Sequence, residues 1–271
     1  MVKIAVLQMC SGIDPEANFA AIETAASDAA KGGAKALFTP EMALLLDRKR
    51  SRAAGWIESD APADMAKRLS SLAQRLSIDI ALGSMPLAAN ADQWANRSFY
   101  FSAQGPQHCY DKIHMFDVEL ASGETWRESS AYKPGEEVVS VEDTPLGRLG
   151  LTICYDLRFP DLFSALGQRQ CDCIAVPAAF TKPTGKVHWH VMLRARAIEA
   201  SAFVIAAAQV GQHEDGRETY GHSLVIDPWG NVLLDMGDVG AGLGFCELDL
   251  ARIHEVRQQL PSLANRRKIA N

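Results

Sequence analysis

Apolar positions fall into two rhythms, a period of two and a period near 3.6, that replace one another from end to end. Residues 3–9 read as a strand. Residues 14–31 carry helical spacing, with Asp14 as N-cap, Pro15 in the first turn and Gly32-Gly33 as the stop. Residues 36–39 form a short buried strand ending at Pro40-Glu41. A charge-rich loop over 47–52 precedes a helix over 62–76, and strands follow at 78–83, 97–102 and 108–113. In the second half, strands at 138–141 and 149–154 lead to a helix at 161–168. A strand at 172–176, a helix at 186–199 and a strand at 202–207 come next. Strands at 221–226 and 231–234 flank Asp227-Pro228-Trp229-Gly230, a good turn sequence, and a strand at 243–248 precedes a helix at 250–259.

Strands outnumber helices, and the helices are amphipathic. That balance favours an α/β fold with two sheets packed face to face and helices outside, over a barrel of eight repeats. The pattern by itself leaves both open. Residues 115–135 show neither rhythm. A connection of that length inside a compact domain is either disordered or functional. Phe116 and Trp126 within it, alongside Ser122-Gly123-Glu124 and Lys133-Pro134-Gly135, favour an active-site loop. No linker, repeat or low-complexity block divides the chain, so residues 1–271 read as one domain.

Composition narrows the function classes. The 271 residues are 48% hydrophobic and 22% charged, as in ordinary soluble globular proteins. Lys and Arg total 27 against 33 Asp and Glu, a formal charge of −6, and the densest basic run, Arg266-Arg267-Lys268, reads as a solvated tail. Nucleic-acid binding therefore lacks its electrostatic footprint. No window holds 18 uninterrupted apolar residues, so no membrane partner is expected, and the N-terminal run has no cleavage signature. Six cysteines in a chain this long do not make a disulfide framework, and a cytoplasmic location is the expectation.

Cys154 is the side chain whose setting most suggests chemistry. It ends the run Leu149-Gly150-Leu151-Thr152-Ile153-Cys154 and is followed by Tyr155-Asp156-Leu157-Arg158-Phe159-Pro160, which predicts a sharp turn into a helix. A thiol at such an elbow lies near helix-terminal N–H groups that favour a thiolate, although an arbitrary cysteine is more often inert core. Thiol hydrolysis also needs a base, and a cation or N–H donors for the developing oxyanion. Glu41 follows a buried strand and is expected at the same sheet edge as Cys154, with desolvation raising its pKa and improving it as a base. Lys112, in Tyr110-Asp111-Lys112-Ile113-His114, also ends a strand; beside the thiol it would lower the thiol pKa and hold an oxyanion. Taken singly, such residues are more often surface.

Taken together, Pro40-Glu41 and the 110–114 and 151–160 segments resemble, in order, the three signatures of the nitrilase superfamily of carbon–nitrogen hydrolases. The resemblance runs the length of the chain, through Glu128-Ser129, Lys133-Pro134-Gly135, Arg194 and Arg196 with Glu199, and residues 220–230. It implies a four-layer α-β-β-α sandwich that pairs with a second subunit as a homodimer or higher homo-oligomer. It also implies Glu41 as general base, Cys154 as nucleophile, Lys112 as oxyanion stabiliser and Glu128 as a second glutamate that positions Lys112 and relays a proton. The Tyr155 N–H would be the other oxyanion donor. Attack of the Cys154 thiolate on a small amide would release ammonia, and water activated by Glu41 would hydrolyse the thioester, with no metal and no organic cofactor.

Residues 154–160, His188-Trp189, Ala207-Ala208-Gln209 with Gly211 and His213, and residues 227–230 are similar to the branch acting on deaminated glutathione, which yields 2-oxoglutarate and cysteinylglycine. The near alternative is the ω-amidase branch, acting on 2-oxoglutaramate with the same catalytic residues. Relatives tend to have Gly after Phe180-Thr181, where this chain has Lys182-Pro183 near the expected pocket wall. Both substrates carry carboxylates, so a bidentate cation is expected in the pocket. Arg158 is the first candidate, against a structural salt bridge beneath the elbow, and Thr181 is the second. Arg194 and Arg196 are expected to serve folding or the subunit interface.

Other signals are weaker. His188-Trp189-His190 places two imidazoles at i and i+2, which face apart on a helix, and no Cys or acidic partner has ligand spacing. Cys171-Asp172-Cys173 reads as packed strand positions more than as a redox pair. Gly240-Ala241-Gly242-Leu243-Gly244 precedes a strand, the wrong context for a dinucleotide loop, and Gly221-His222-Ser223 lacks the second glycine of a serine-hydrolase elbow. Trp189 and Trp229 read as core. A catalytically silent scaffold on the same fold is the alternative from another class, and the intact trio of Glu41, Lys112 and Cys154 argues against it.

Overall fold

Alternation along the first strand sets the layering. Ile4 and Val6 belong to one apolar core, Ala5 and Leu7 to another on the opposite face of the same sheet. The computed structural model describes residues 1–267 apart from residues 106, 120–122 and 124; Ser122, Glu124 and Lys268 thus lie outside the described residues.

In chain order the elements begin with β1 (Val2–Gln8), α1 (Pro15–Lys31), β2 (Ala36–Phe38), α2 (Arg50–Ile57), α3 (Ala61–Leu76), β3 (Asp79–Ala88), β4 (Trp94–Phe101) and β5 (Gln107–Asp111). A ribbon of β6 (Asp117–Glu119) and β7 (Thr125–Arg127) leads to β8 (Val139–Thr144), β9 (Gly147–Leu151), α4 (Pro160–Gln168), β10 (Cys173–Ala175) and α5 (Lys182–Ala200). Then come β11 (Phe203–Ala206), a second ribbon of β12 (Val210–Gln212) and β13 (Glu218–Tyr220), β14 (Leu224–Ile226), β15 (Val232–Asp235), β16 (Gly242–Leu248) and α6 (Ala251–Gln259).

Two six-stranded sheets result, ordered β16-β1-β2-β3-β4-β5 and β15-β14-β11-β10-β9-β8. Each has a parallel centre, β1-β2-β3 or β9-β10-β11, flanked by antiparallel strands. Phe19 and Ile22 of α1 and Leu69 and Leu72 of α3 cover the outer face of the first sheet. Leu162 and Leu166 of α4 and Trp189 and Leu193 of α5 cover the second, where Gly150 lets Leu166 approach closely. Ile4, Val6, Phe38 and Ala81 meet Leu149, Leu151, Ala175 and Ile205 between the sheets. The result is the four-layer α-β-β-α sandwich, with the parallel strands directing their C-terminal ends to one rim.

Several elements depart from the sequence reading for local reasons. The charged stretch around Arg50 opens α2, because Asp47 accepts from the Lys49 N–H and from Arg52 and so organises the turn before it. Only Ala53 and Ile57 of that helix are buried, too short an apolar stripe to signal itself. Helix α5 starts at Lys182, with Pro183 in its first turn, where proline is tolerated because the N–H there has no intrahelical partner. The 115–135 segment is not wholly irregular, since β6 and β7 pair within it. Trp189 is fully buried, whereas Trp229 is 45% exposed on its turn and lies under Arg252. Among the described residues no helix is long and apolar enough to cross a membrane.

Candidate active site

Strand ends from both sheets, not one sheet edge, converge here. Glu41 lies just beyond β2, Lys112 just beyond β5, and Cys154 beyond β9 in the opposite sheet. Each is fixed by its backbone. Thr39 donates to the Ala81 carbonyl and its hydroxyl accepts from Gly83 N–H. A Cβ at Gly83 would collide with the Thr39 and Pro40 carbonyls, so glycine is what lets the Pro40-Glu41 turn sit against β3. Lys112 donates its N–H to Asn96 and its carbonyl accepts from Gly135, 3.0 and 2.8 Å. Cys154 adopts φ = +48°, a left-handed conformation costly for a residue with a Cβ, and its N–H is held by the Pro177 carbonyl at 2.8 Å.

Lys112 is the electrostatic hub, 2% exposed. Its Nζ lies 3.0 Å from Glu41 Oε1 and 2.9 Å from Glu128 Oε2. Asn96 Nδ2 donates to Glu41 at 3.0 Å and to Glu128 at 3.3 Å, while the Ala179 N–H donates to the other Glu41 oxygen at 2.8 Å. Phe116 N–H donates to Glu128 at 2.6 Å, so the 115–135 segment delivers the second glutamate. Cys154 lies on the same cavity wall as Glu41, Lys112 and Glu128.

Burial pushes the Glu41 carboxyl up, as expected for a desolvated acid. Lys112, the thiol and the Ala179 N–H outweigh it, and Glu41 ends below the usual carboxylate range. The expected increase in its basicity through desolvation is therefore reversed. Burial and the Glu41 carboxylate hold the Cys154 thiol well above its ordinary value despite Lys112, so the expected thiolate is not the resting form. Burial opposes the Lys112 charge, but Glu128, Glu41 and Cys154 keep it firmly protonated. These directions make the resting site a carboxylate, an ammonium and a neutral thiol.

A further carboxylate ties the lysine to the elbow. Asp156, fully buried, accepts from Tyr110 Oη at 2.7 Å, Ile153 N at 2.9 Å, His114 N at 3.0 Å and, for the tautomer protonated there, His114 Nδ1 at 2.7 Å. The His114 ring stacks on Phe159 at 3.6 Å. The turns carrying Lys112 and Cys154 therefore share one anchor. Neither Asn96 nor Asp156 was singled out from sequence; Asn96 lies before the strand expected at 97–102, and Asp156 sat inside the recognised motif without an assigned role.

A cavity of about 770 Å³ opens on this cluster. Glu41, Lys112, Glu128 and Cys154 line it, as do Tyr155 and Thr181. Arg158 does not. Its guanidinium lies over Tyr155 and Phe180 and donates to His188 Nδ1 at 3.3 Å. The arginines that do line the cavity are Arg48, Arg50, Arg127 and Arg217. Arg217 pairs with Asp215 at 2.7 Å and lies over Trp126, while Arg50 is held by the Ser130 and Asp92 carbonyls. Cys171 and Cys173 are both buried, Cys173 Sγ facing the Leu146 carbonyl.

Residues 3–258 match the family described as carbon–nitrogen hydrolase. The deaminated glutathione amidase of Yersinia enterocolitica is 40% identical over 99% of this chain and 94% of its own length. The C. elegans NitFhit protein superposes with a TM-score of 0.89 at 34% identity, covering 98% of this chain and 65% of that one. A mutant of the amidase from Nesterenkonia sp. AN1 superposes with a TM-score of 0.82 at 25% identity over 98% and 94% of the two chains.

Proposed function

The chain belongs to the carbon–nitrogen hydrolase family, and on that premise we propose that it is a cysteine-dependent amidase working through a thioester on a small, carboxylate-bearing amide. The observation that carries this reading is the contact set at Lys112, an ammonium between two carboxylates, with the Cys154 thiol on the same cavity wall.

In the proposed sequence, Cys154 Sγ attacks the amide carbonyl carbon as Glu41 takes the thiol proton. Negative charge then moves from the Glu41 carboxylate to the new oxyanion, and both positions lie beside Lys112, so the buried net charge does not change. The Tyr155 N–H, in the first turn after the elbow where N–H groups lack an intrahelical partner, is the second oxyanion donor. Collapse breaks the C–N bond, and Glu41 returns the proton to the departing nitrogen. Water, deprotonated by Glu41, then attacks the thioester, and its collapse releases the acid and restores the thiol. Glu128 holds Lys112 upright and serves the proton relay. The Nesterenkonia amidase mutant carries the acetamide moiety of fluoroacetamide covalently on its active-site cysteine; that adduct is a cysteine alkylated at sulfur, and it supports a nucleophilic sulfur as proposed here for Cys154.

For the substrate, we favour deaminated glutathione, cleaved to 2-oxoglutarate and cysteinylglycine, as the name of the Yersinia relative suggests. A cavity of about 770 Å³ accommodates a tripeptide-sized molecule, and Arg48 and Arg217 on its wall supply cations for its two carboxylates. With Arg158 turned to His188, we assign carboxylate recognition to Arg217 first, with Thr181 beside it. A homodimer is part of the reading, supported by Val187, Val191 and Ile198, which are exposed at helical spacing along α5. So is a cytoplasmic location, which six unpaired cysteines suit.

Steady-state assays of wild type and Cys154→Ala on deaminated glutathione and 2-oxoglutaramate test the proposal. The expected result is a higher kcat/KM on deaminated glutathione and no turnover by the variant. Turnover by Cys154→Ala would remove the nucleophile, and a preference for 2-oxoglutaramate would move the substrate to the ω-amidase class.

A further inference from the structure

Outside the cavity, three side chains from three segments meet: His190 on α5, His222 between β13 and β14, and Asp235 at the end of β15. His190 Nε2 is 3.0 Å from Asp235 Oδ2, His222 Nδ1 is 2.8 Å from Oδ1, and the three candidate ligand atoms lie within 4.8 Å of one another. We propose that this cluster binds a divalent transition-metal ion of the zinc type, with two imidazole nitrogens and one carboxylate as protein ligands and water completing the shell.

Backbone and packing organise the cluster. His222 sits at φ = +52°, a conformation glycine would adopt without strain, so its side chain is present at a conformational cost. That backbone is held at both ends, its N–H by the Gly237 carbonyl at 2.8 Å and its own carbonyl by the indole N–H of fully buried Trp189 at 2.8 Å. Tyr220 stacks on the imidazole at 4.5 Å and limits its rotation. On the other side, Gly237 N–H donates to Asp235 Oδ1 at 2.9 Å, and no Lys or Arg pairs with this carboxylate among the described residues.

The distances suit the ion. Zinc bonds of about 2.0–2.2 Å put tetrahedral ligand atoms roughly 3.3 Å apart, and both nitrogen–oxygen separations, 3.0 and 2.8 Å, are already near that value. A small ring movement closes the remaining pair, with the metal taking the place of the two N–H protons. All three residues are partly exposed, which gives the ion a path and leaves room for water. Bound metal would cross-link α5 to the segment after Tyr220. Tyr220 N–H bonds the Phe180 carbonyl in the cavity wall at 2.9 Å, so the metal would stiffen one side of the substrate cavity.

The test is calorimetric titration of ZnCl2 into chelator-stripped protein in the Cys154→Ala background, so that the buried thiol does not compete. The expected result is one Zn²⁺ per chain and a raised Tm. In His222→Gly, which preserves the backbone conformation, and in Asp235→Asn, the affinity should fall at least about tenfold and the Tm shift should disappear. A parent protein that takes up no Zn²⁺, or variants that bind it as tightly as the parent, would overturn the proposal.

Discussion

Asp156→Asn separates the anchor of the site from its chemistry. Asp156 accepts four hydrogen bonds on two carboxylate oxygens, from Tyr110, Ile153 and both the N–H and Nδ1 of His114. Asparagine offers one carbonyl oxygen, and its amide N–H groups face donors where the second oxygen was, so two of the four bonds are lost. Hydrogen bonds to a charged group contribute about 1.5–3 kcal/mol each, a loss of about 3–6 kcal/mol. The low end is favoured because the His114 side chain is 26% exposed and can turn to water. With an unfolding entropy near 2.1 cal/mol/K per residue, 271 residues give about 0.57 kcal/mol/K, and Tm should drop by about 5–10 °C. The same network sets where Lys112 and Cys154 stand relative to each other. Misplacement of reacting groups by about 1 Å costs on the order of 100-fold, so kcat should fall by that factor with KM little changed. Differential scanning calorimetry and initial-rate kinetics on the same preparation measure both. A variant with wild-type Tm and kcat would refute the view that Asp156 couples the two turns.

The remaining predictions concern protonation, backbone fit and charge recognition. Glu41 lies below its ordinary value, so the acid limb of kcat/KM should fall below the usual carboxylate range, and a limb near pH 6 or 7 would contradict this. The Cys154 pKa is raised on folding, so its stabilising contribution is complete below the ordinary thiol value and is lost as pH rises through the folded one; the fall in Tm above about pH 8.5 should be smaller in Cys154→Ala. Gly83→Ala drives a Cβ into the Thr39 and Pro40 carbonyls and should cost about 1–3 kcal/mol; because the strain falls on the Glu41 turn, kcat should drop as well, and unchanged thermal melts and kinetics would show that the turn yields freely. Arg217→Ala should raise KM for a dicarboxylate amide by roughly 10–100-fold, the loss of one charge-assisted contact, while leaving an uncharged amide nearly unaffected. Equal effects on both amides would remove Arg217 from carboxylate recognition.

The elements legible in the sequence were those whose signal is local. Asp14 does accept from the Glu16 and Ala17 N–H groups at the start of α1, and Gly32 ends that helix, as cap chemistry dictates. The strand-to-helix elbow at Cys154 follows from an apolar run meeting Pro160, and the three recognised segments supply the residues that meet in space. What stayed hidden depends on neighbours distant in the chain. The direction of the Glu41 and Cys154 shifts is set by Lys112 and by each other, and no single strand reveals that balance. The family resemblance makes Arg158 the first carboxylate candidate, because some relatives hold a substrate carboxylate from that position, but His188 and two aromatic rings take its guanidinium away from the cavity. His190 does face apart from His188 on the helix; the carboxylate that meets it, Asp235, arrives from a strand 45 residues later.

The central claim is that the acyl half of the substrate passes through a covalent bond to the Cys154 sulfur. Acid-quenched turnover followed by peptide mapping tests it directly. The account predicts an added mass equal to the acyl group on the peptide containing Cys154, removable by hydroxylamine and missing from Cys154→Ala, which should also be inactive. An acyl group on another residue, or full turnover by Cys154→Ala, would contradict it.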